Sequence, residues 1–252
     1  IDQCRTNPTI ASFGLYMAPP EVSFESGAES FSGSTSFKLS CDVKEAKIYY
    51  TLDGSIPAKR SNLYTGEITL KNTTKVTAIA ISPDGVKSLP VSTEYNKAKY
   101  EIKYLIPYDN QYPGVGNYTL VDGVSASTNL NDNKWQGFYG QDLDVVIDLN
   151  EIKKISKISC GFLRDINSFI FPPKSVEYSI SENGKDFTLL KEIKNDDLDN
   201  QDKKTLTKKF ETDVQATGRY IHVKAVSIGT CPTWHKGVGD KAWLFADEIT
   251  IE

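Results

Sequence analysis

Pro232, Trp234 and His235 stand together in a loop that also carries Gly229, Gly237 and Gly239. An indole offers a flat apolar plate with one N–H donor, and an imidazole adds a group that can donate or accept. A loop this rich in Gly and Pro belongs on the surface, where a Trp is costly to leave unless something stacks on it. The apolar run Ala242–Ile251 that follows reads as a buried strand, a rigid base for the loop. This stretch is the ligand-site candidate.

Other residues that could do chemistry fail their spacing tests. Cys4, Cys41, Cys160 and Cys231 form no Cys-x-x-Cys pair, and neither His222 nor His235 lies at ligand spacing from such a pair, so zinc is not expected. Four cysteines allow three pairings; Cys160 with Cys231 would tie down the Trp234 loop, while buried free thiols are the alternative. Acidic residues abound, but none sits where two carboxylates would face each other across a cleft at roughly 5 to 10 Å. There is no Gly-x-Ser-x-Gly elbow and no phosphate-cradling glycine loop before a helix. These residues are read as non-catalytic.

The elements that must position the candidate site come from the whole chain. At 252 residues there is room for one large β domain or two ordinary ones. A hydrophobic share of 39% with 25% charged residues is that of a globular protein, and no apolar run approaches bilayer length. The formal charge of -4 argues against a nucleic-acid partner, and no membrane insertion is expected. The chain begins at Ile1 with no basic leader before an apolar core, so a mature piece or a fragment is expected.

Read in order, residues 1–19 hold a single strand that needs a partner, the end of a domain mostly absent, and Ala18-Pro19-Pro20 makes a stiff exit. Residues 20–98 read as an immunoglobulin-like sandwich, with strands at Ser36–Ser40, Lys47–Leu52, Thr74–Ile81 and Val91–Tyr95 and turns at Asp53-Gly54 and Pro83-Asp84-Gly85. Asn96–Ile106 reads as a polar connector. Residues 99–252 carry strands at Leu143–Leu149, Ile155–Leu163, Ser175–Ser181, Arg219–Ala225 and the terminal run, which suggests a jelly roll. Asn195–Lys204 is all polar apart from Leu198, most simply a solvated loop. The expected class is all-β, an Ig-like sandwich followed by a β jelly roll.

Two resemblances sharpen this. Ile48-Tyr49-Tyr50-Thr51-Leu52-Asp53-Gly54, with Tyr64-Thr65-Gly66 and Val76-Thr77-Ala78-Ile79-Ala80, resembles the small β-sandwich toward the C-terminus of bacterial chitobiases and β-hexosaminidases. It implies a spacer without chemistry. Leu120-Val121-Asp122-Gly123, Trp135-Gln136-Gly137-Phe138, Ser181-Glu182-Asn183-Gly184, Arg219-Tyr220-Ile221 and Asp247-Glu248-Ile249 fall in the order of discoidin-like (coagulation factor 5/8 type C) domains, to which carbohydrate-binding modules of family 32 belong. The variant resembles those on glycoside hydrolases of Bacteroides-type bacteria, and Pro8–Tyr16 is similar to the end of the sandwich of bacterial α-L-fucosidases. The resemblance implies a non-catalytic region that binds glycans, beside a parent catalytic domain, in the periplasm or outside the cell. The alternative is a pair of purely structural domains.

The family pattern also implies sites. A structural Ca²⁺ would fall on Asp122, Thr128 and Glu248, with carbonyls near Thr119, Val124 and Asp247 completing an all-oxygen shell. The loop is about one residue longer than usual, leaving open Ser127 in place of Thr128, or a loop without metal. A sugar, with its apolar C–H face and ring of hydroxyls, would meet Arg164 and Asn167 after the third strand together with Trp234 and His235. The plainer alternatives are Arg164 paired with Asp165 or Asp142, and His235 capping its loop. Trp135, Phe138 and Trp243 read as core, and His222 as an outward-facing strand residue. Phe169 and Phe171 would be the apolar tips of an adhesive domain, though Pro172-Pro173 beside them suggests packing.

Overall fold

The computed structural model describes residues 19–198 and 201–252, so the expected strand within residues 1–18 and Cys4 lie outside it. The described residues form β-strands and two single turns of 3-10 helix, with no α-helix among them. The first unit contains β1 (Val22–Ser26), β2 (Ser30–Phe31), β3 (Thr35–Cys41), β4 (Lys47–Thr51), β5 (Asn62–Leu63), β6 (Ile68–Leu70), β7 (Thr74–Ile81) and β8 (Val91–Lys97). A sheet in the order β1-β3-β6 accompanies one in the order β2-β8-β7-β4-β5. Phe37, Val76, Ala78, Ala80 and Tyr95 form its core, with Tyr95 stacked on Phe37 at 5.2 Å and its hydroxyl 2.9 Å from Ser26 Oγ. This is the Ig-like sandwich expected from the alternating segments.

The second unit contains β9 (Glu101–Ile106), β10 (Gln136–Tyr139), β11 (Leu143–Arg164), β12 (Ser175–Ser181), β13 (Thr188–Lys194), β14 (Leu206–Val226) and β15 (Trp243–Ile251). Two strands do the folding over. The first part of β11, Leu143–Asp148, lies between β9 and β14, and its later part, Ile158–Phe162, lies between β15 and β14. The two long strands therefore serve both layers of the jelly roll. They bend where the ladder slips between Asp148 and Lys153, and Asn150 takes a positive φ of 68° there. Opposite Lys153 stands Gly218, where a Cβ would meet Ile180 Cγ1 at 2.5 Å, so the bend closes on a residue without a side chain. The two segments expected as separate strands are thus one ladder, because a bulge interrupts hydrophobic alternation without ending the strand.

Leu143, Val145, Ile147 and Leu149 face Ile158, Phe162, Ile221, Val223, Leu244 and Ala246 in one core, and all are buried. Each such side chain contributes about 1.5–3 kcal/mol on burial. Trp135 and Phe138 are core as expected, whereas Trp243 is only half-buried, edge-on to Tyr112 at 5.1 Å. The supposed connector holds β9, whose Ile102, Tyr104 and Ile106 alternate against exposed Glu101, Lys103 and Leu105. The junction is pinned on both sides, Ala98 N–H donating to the Phe31 carbonyl within the first unit (2.7 Å) and Lys99 N–H to the Val121 carbonyl within the second (3.0 Å), and Ser32 Oγ donates across it to Glu101 Oε1. Cys160 and Cys231 are both buried and free, in different clusters, so the thiol alternative holds for this pair.

Candidate functional site

At the end of β11 the chain enters a single 3-10 turn, Ile166–Ser168, that presents Asn167 to solvent. Asp165 and Ile170 exchange backbone hydrogen bonds at 3.0 Å around it, and Ser168 Oγ donates to Asp165 Oδ2 at 2.7 Å. Phe169 closes the turn with a left-handed φ of 64°, a conformation that costs a bulky residue on the order of 1–3 kcal/mol. Neighbours hold it there. Its ring lies 4.9 Å from that of His235, and its carbonyl accepts from Trp243 N–H at 2.9 Å.

The loop after β14 folds back on itself. Cys231 N–H donates to the Asp240 carbonyl (2.8 Å) and Ala242 N–H to the Gly229 carbonyl (3.0 Å), closing the neck. Inside the loop His235 is 8% exposed, and both its ring nitrogens are engaged. Gly237 N–H donates to Nδ1 at 3.1 Å, so Nδ1 is the acceptor and Nε2 carries the proton, which it donates to the Ile166 carbonyl at 2.6 Å. A Cβ at Gly237 would sit 2.1 Å from Phe169 Cε1, so only glycine lets the two loops approach. Trp234 is half-buried, edge-on to Phe171 at 6.1 Å and to His235 at 6.0 Å. Its Nε1–H is shielded from solvent and has no acceptor among the described residues, a state that costs about 1–3 kcal/mol in a buried donor.

Between these loops lies a cleft of about 310 Å³. Ile166 and Asn167 line one side, Trp234, His235 and Lys236 the second, and Gln201 and Lys203 the third. Asn167, Trp234 and His235 are thus brought together, and the indole stays at the surface. Arg164 is placed differently from the expectation. It is 3% exposed, is not among the cleft-lining residues and pairs with neither Asp165 nor Asp142; its guanidinium donates to the Asp202 carbonyl, fixing the segment that carries Gln201 and Lys203. The physical reason is register: Arg164 opposes Leu206 in the ladder, which turns it toward the segment before β14. His235 lines the cleft with its ring but offers it neither nitrogen, the loop-capping alternative. Gln201 and Lys203 were read as part of a solvated loop; only the length of the Asn195–Lys204 run, too long for a simple hairpin, marked it.

The expected cation site lies at the other candidate position. Asp122 is buried, its Oδ1 accepting from Val124 N–H at 2.9 Å, and burial pushes its carboxyl up to about 6. Burial, with the Asp122 carboxylate adding to it, pushes Glu248 up to about 8. Glu248 Oε2 is shielded and without a partner. Two buried carboxylates, one raised further by the charge of the other and with an oxygen that has no partner among the described residues, suit a hard cation. Thr128 is exposed, and Ser127 Oγ donates to Asp132 Oδ2 at 2.8 Å; Asp247 is the third acidic group felt at the pair, held by Ala126 N–H at 3.0 Å. The longer loop turns its hydroxyls toward Asp132. No group of three His, Cys, Asp or Glu side chains among the described residues is arranged to hold a metal, so a cation would draw its remaining oxygens from backbone carbonyls.

Of the remaining expectations, Phe171 is buried and Phe169 half-buried, which is packing rather than exposed tips. His222 is half-buried, with Nε2 2.7 Å from Asp144 Oδ1 and its ring 5.4 Å from Phe187.

Comparison with known proteins gives two family matches, the chitobiase/β-hexosaminidase C-terminal domain over residues 24–93 and the F5/8 type C domain over residues 107–244. No curated protein sequence matches. Similar solved structures include the C-terminal domain of a chitobiase from Bacteroides fragilis, at 18% identity and a TM-score of 0.36, covering 62% of this chain and 95% of that one. CpGH89CBM32-5 from Clostridium perfringens, solved with GalNAc-β-1,3-galactose, is 14% identical with a TM-score of 0.39, covering 61% and 94%. A fucose binding module from Streptococcus pneumoniae is 12% identical with a TM-score of 0.37, covering 62% and 94%. The F5/8 type C match spans more than half of the sequence, and the chain belongs to the F5/8 type C domain family.

Proposed function

We propose that this chain is the non-catalytic, glycan-binding region of a secreted or periplasmic bacterial glycoside hydrolase. Residues 20–98 act as spacer and residues 99–252 as the binding module. The observation that carries the reading is the cleft in which a half-buried indole meets Asn167 on a neighbouring loop. An indole edge or face covers the apolar side of a sugar ring, and Asn167 offers an amide to its hydroxyls. Cleft and family together favour a carbohydrate over other ligands. The parent enzyme is proposed, on the resemblance of Pro8–Tyr16, to be an α-L-fucosidase of a Bacteroides-type bacterium, and next a β-hexosaminidase. Weak contacts suffice for such a module, because tethering raises the enzyme's local concentration on a polymer. Ca²⁺ is proposed at Asp122 and Glu248 as a structural ion that neutralises the pair.

A second reading, two structural domains without a ligand, draws on His235 and Arg164, both of which work inside the protein. A glycan array of the chain separates the two. Binding that Trp234→Ala abolishes supports the module, and silence across the array supports the structural reading.

A further inference from the structure

We propose that the cleft takes an acidic sugar, one bearing a carboxylate or a sulfate. This rests on the glycan reading above and names the class of ligand. Lys203 and Lys236 reach the cleft from two different loops, and none of its described lining residues is acidic. Neither lysine makes an ion pair among the described residues. Lys236 Nζ stands 5.2 Å from the centroid of the Phe169 ring, a contact that keeps it near the wall without neutralising it.

Asp165 and Asp202, on the same loops, are not among the described residues that line the cleft. Asp165 accepts from Ser168 Oγ and Asp202 Oδ1 from Lys204 N–H. In a chain of net charge -4, two lysines converging on a cleft with no acidic side chain among its described lining residues favour an anion. The Asn167 and Gln201 amides are further donors at the cleft, while His235 has given up both nitrogens within the protein. Two ammonium groups beside these amides suit a sugar acid, whose anion takes charge-assisted hydrogen bonds that a neutral sugar cannot.

The test is calorimetric titration of the whole chain with matched pairs: galactose against galacturonic acid, N-acetylglucosamine against its 6-sulfate, and lactose against sialyllactose. Acidic members should bind about three- to tenfold more tightly at low salt, with the advantage shrinking at high ionic strength. The carboxylate and sulfate arms show which anion fits. The double variant Lys203→Ala/Lys236→Ala should bring acidic ligands down to the neutral level, and Lys203→Arg/Lys236→Arg should keep the preference. Both positions are exposed, so folding is not at stake. Neutral sugars binding as well as or better than their acidic partners overturns the inference and leaves the glycan reading standing. No binding by either member overturns both.

Discussion

His235 Nε2 donates to the Ile166 carbonyl across 2.6 Å, tying the loop after β14 to the turn after β11. The same carbonyl accepts from Phe169 N–H at 3.2 Å, so one oxygen fixes both walls of the cleft. The histidine that the sequence offered as a ligand contact is a positioning residue.

His235→Ala should therefore act first on stability. It removes two hydrogen bonds and a buried ring, and chemical denaturation should show a loss of about 2–3 kcal/mol. A variant of unchanged stability with only weakened ligand binding would contradict the positioning role.

Gly237→Ala should destabilise by about 1–3 kcal/mol, because its Cβ would overlap the Phe169 ring. Phe169→Ala in the same chain should recover part of that loss, a positive coupling measurable in a double-mutant cycle. Simple additivity would place the clash elsewhere.

Arg164→Ala should loosen the wall carrying Gln201 and Lys203 and cost about 2–4 kcal/mol, since a buried polar network loses its donor. Amide exchange in 201–205 should accelerate at least as much as exchange in 229–240. Unchanged protection of 201–205 would show that the contact does not hold the wall.

The Asp122–Glu248 pair makes stability depend on pH and metal. Both carboxyls are raised by folding, so their contribution is fullest when they are protonated and declines as pH rises through about 6 and about 8. Metal-free protein should lose Tm between pH 5 and 8.5 from this source, and Ca²⁺ should restore it most at the upper end. Glu248→Gln should flatten the pH dependence and weaken the response to Ca²⁺. Identical melting with and without Ca²⁺ at pH 8 would count against the ion.

Much of the fold was legible because burial follows period-2 patterning. Thr74–Ile81 and Ser175–Ser181 read as strands over their observed spans. What the pattern hid was continuity: Asn150 and the slip beside it break the alternation within one long β11. β9 was obscured because Glu101 and Lys103 face solvent on a strand at the sheet edge. At the cleft, an isolated indole in a Gly- and Pro-rich loop is a local signal that singled out Trp234, whereas Asn167 was reached only through the family resemblance. The direction of Arg164 depends on a register 42 residues away at Leu206, and the pairing of His235 with Ile166 spans 69, separations that one sequence does not encode visibly.

The most direct test is the indole N–H resonance of Trp234 in a ¹⁵N-labelled chain titrated with glycan. Trp135 Nε1 already donates to the Ser127 carbonyl at 3.0 Å and serves as an internal control. The Trp234 signal should shift in proportion to occupancy, together with the Asn167 side-chain amide, while the Trp135 signal stays. Saturating glycan binding that leaves Trp234 and Asn167 unmoved would contradict the account, placing the ligand elsewhere on the molecule.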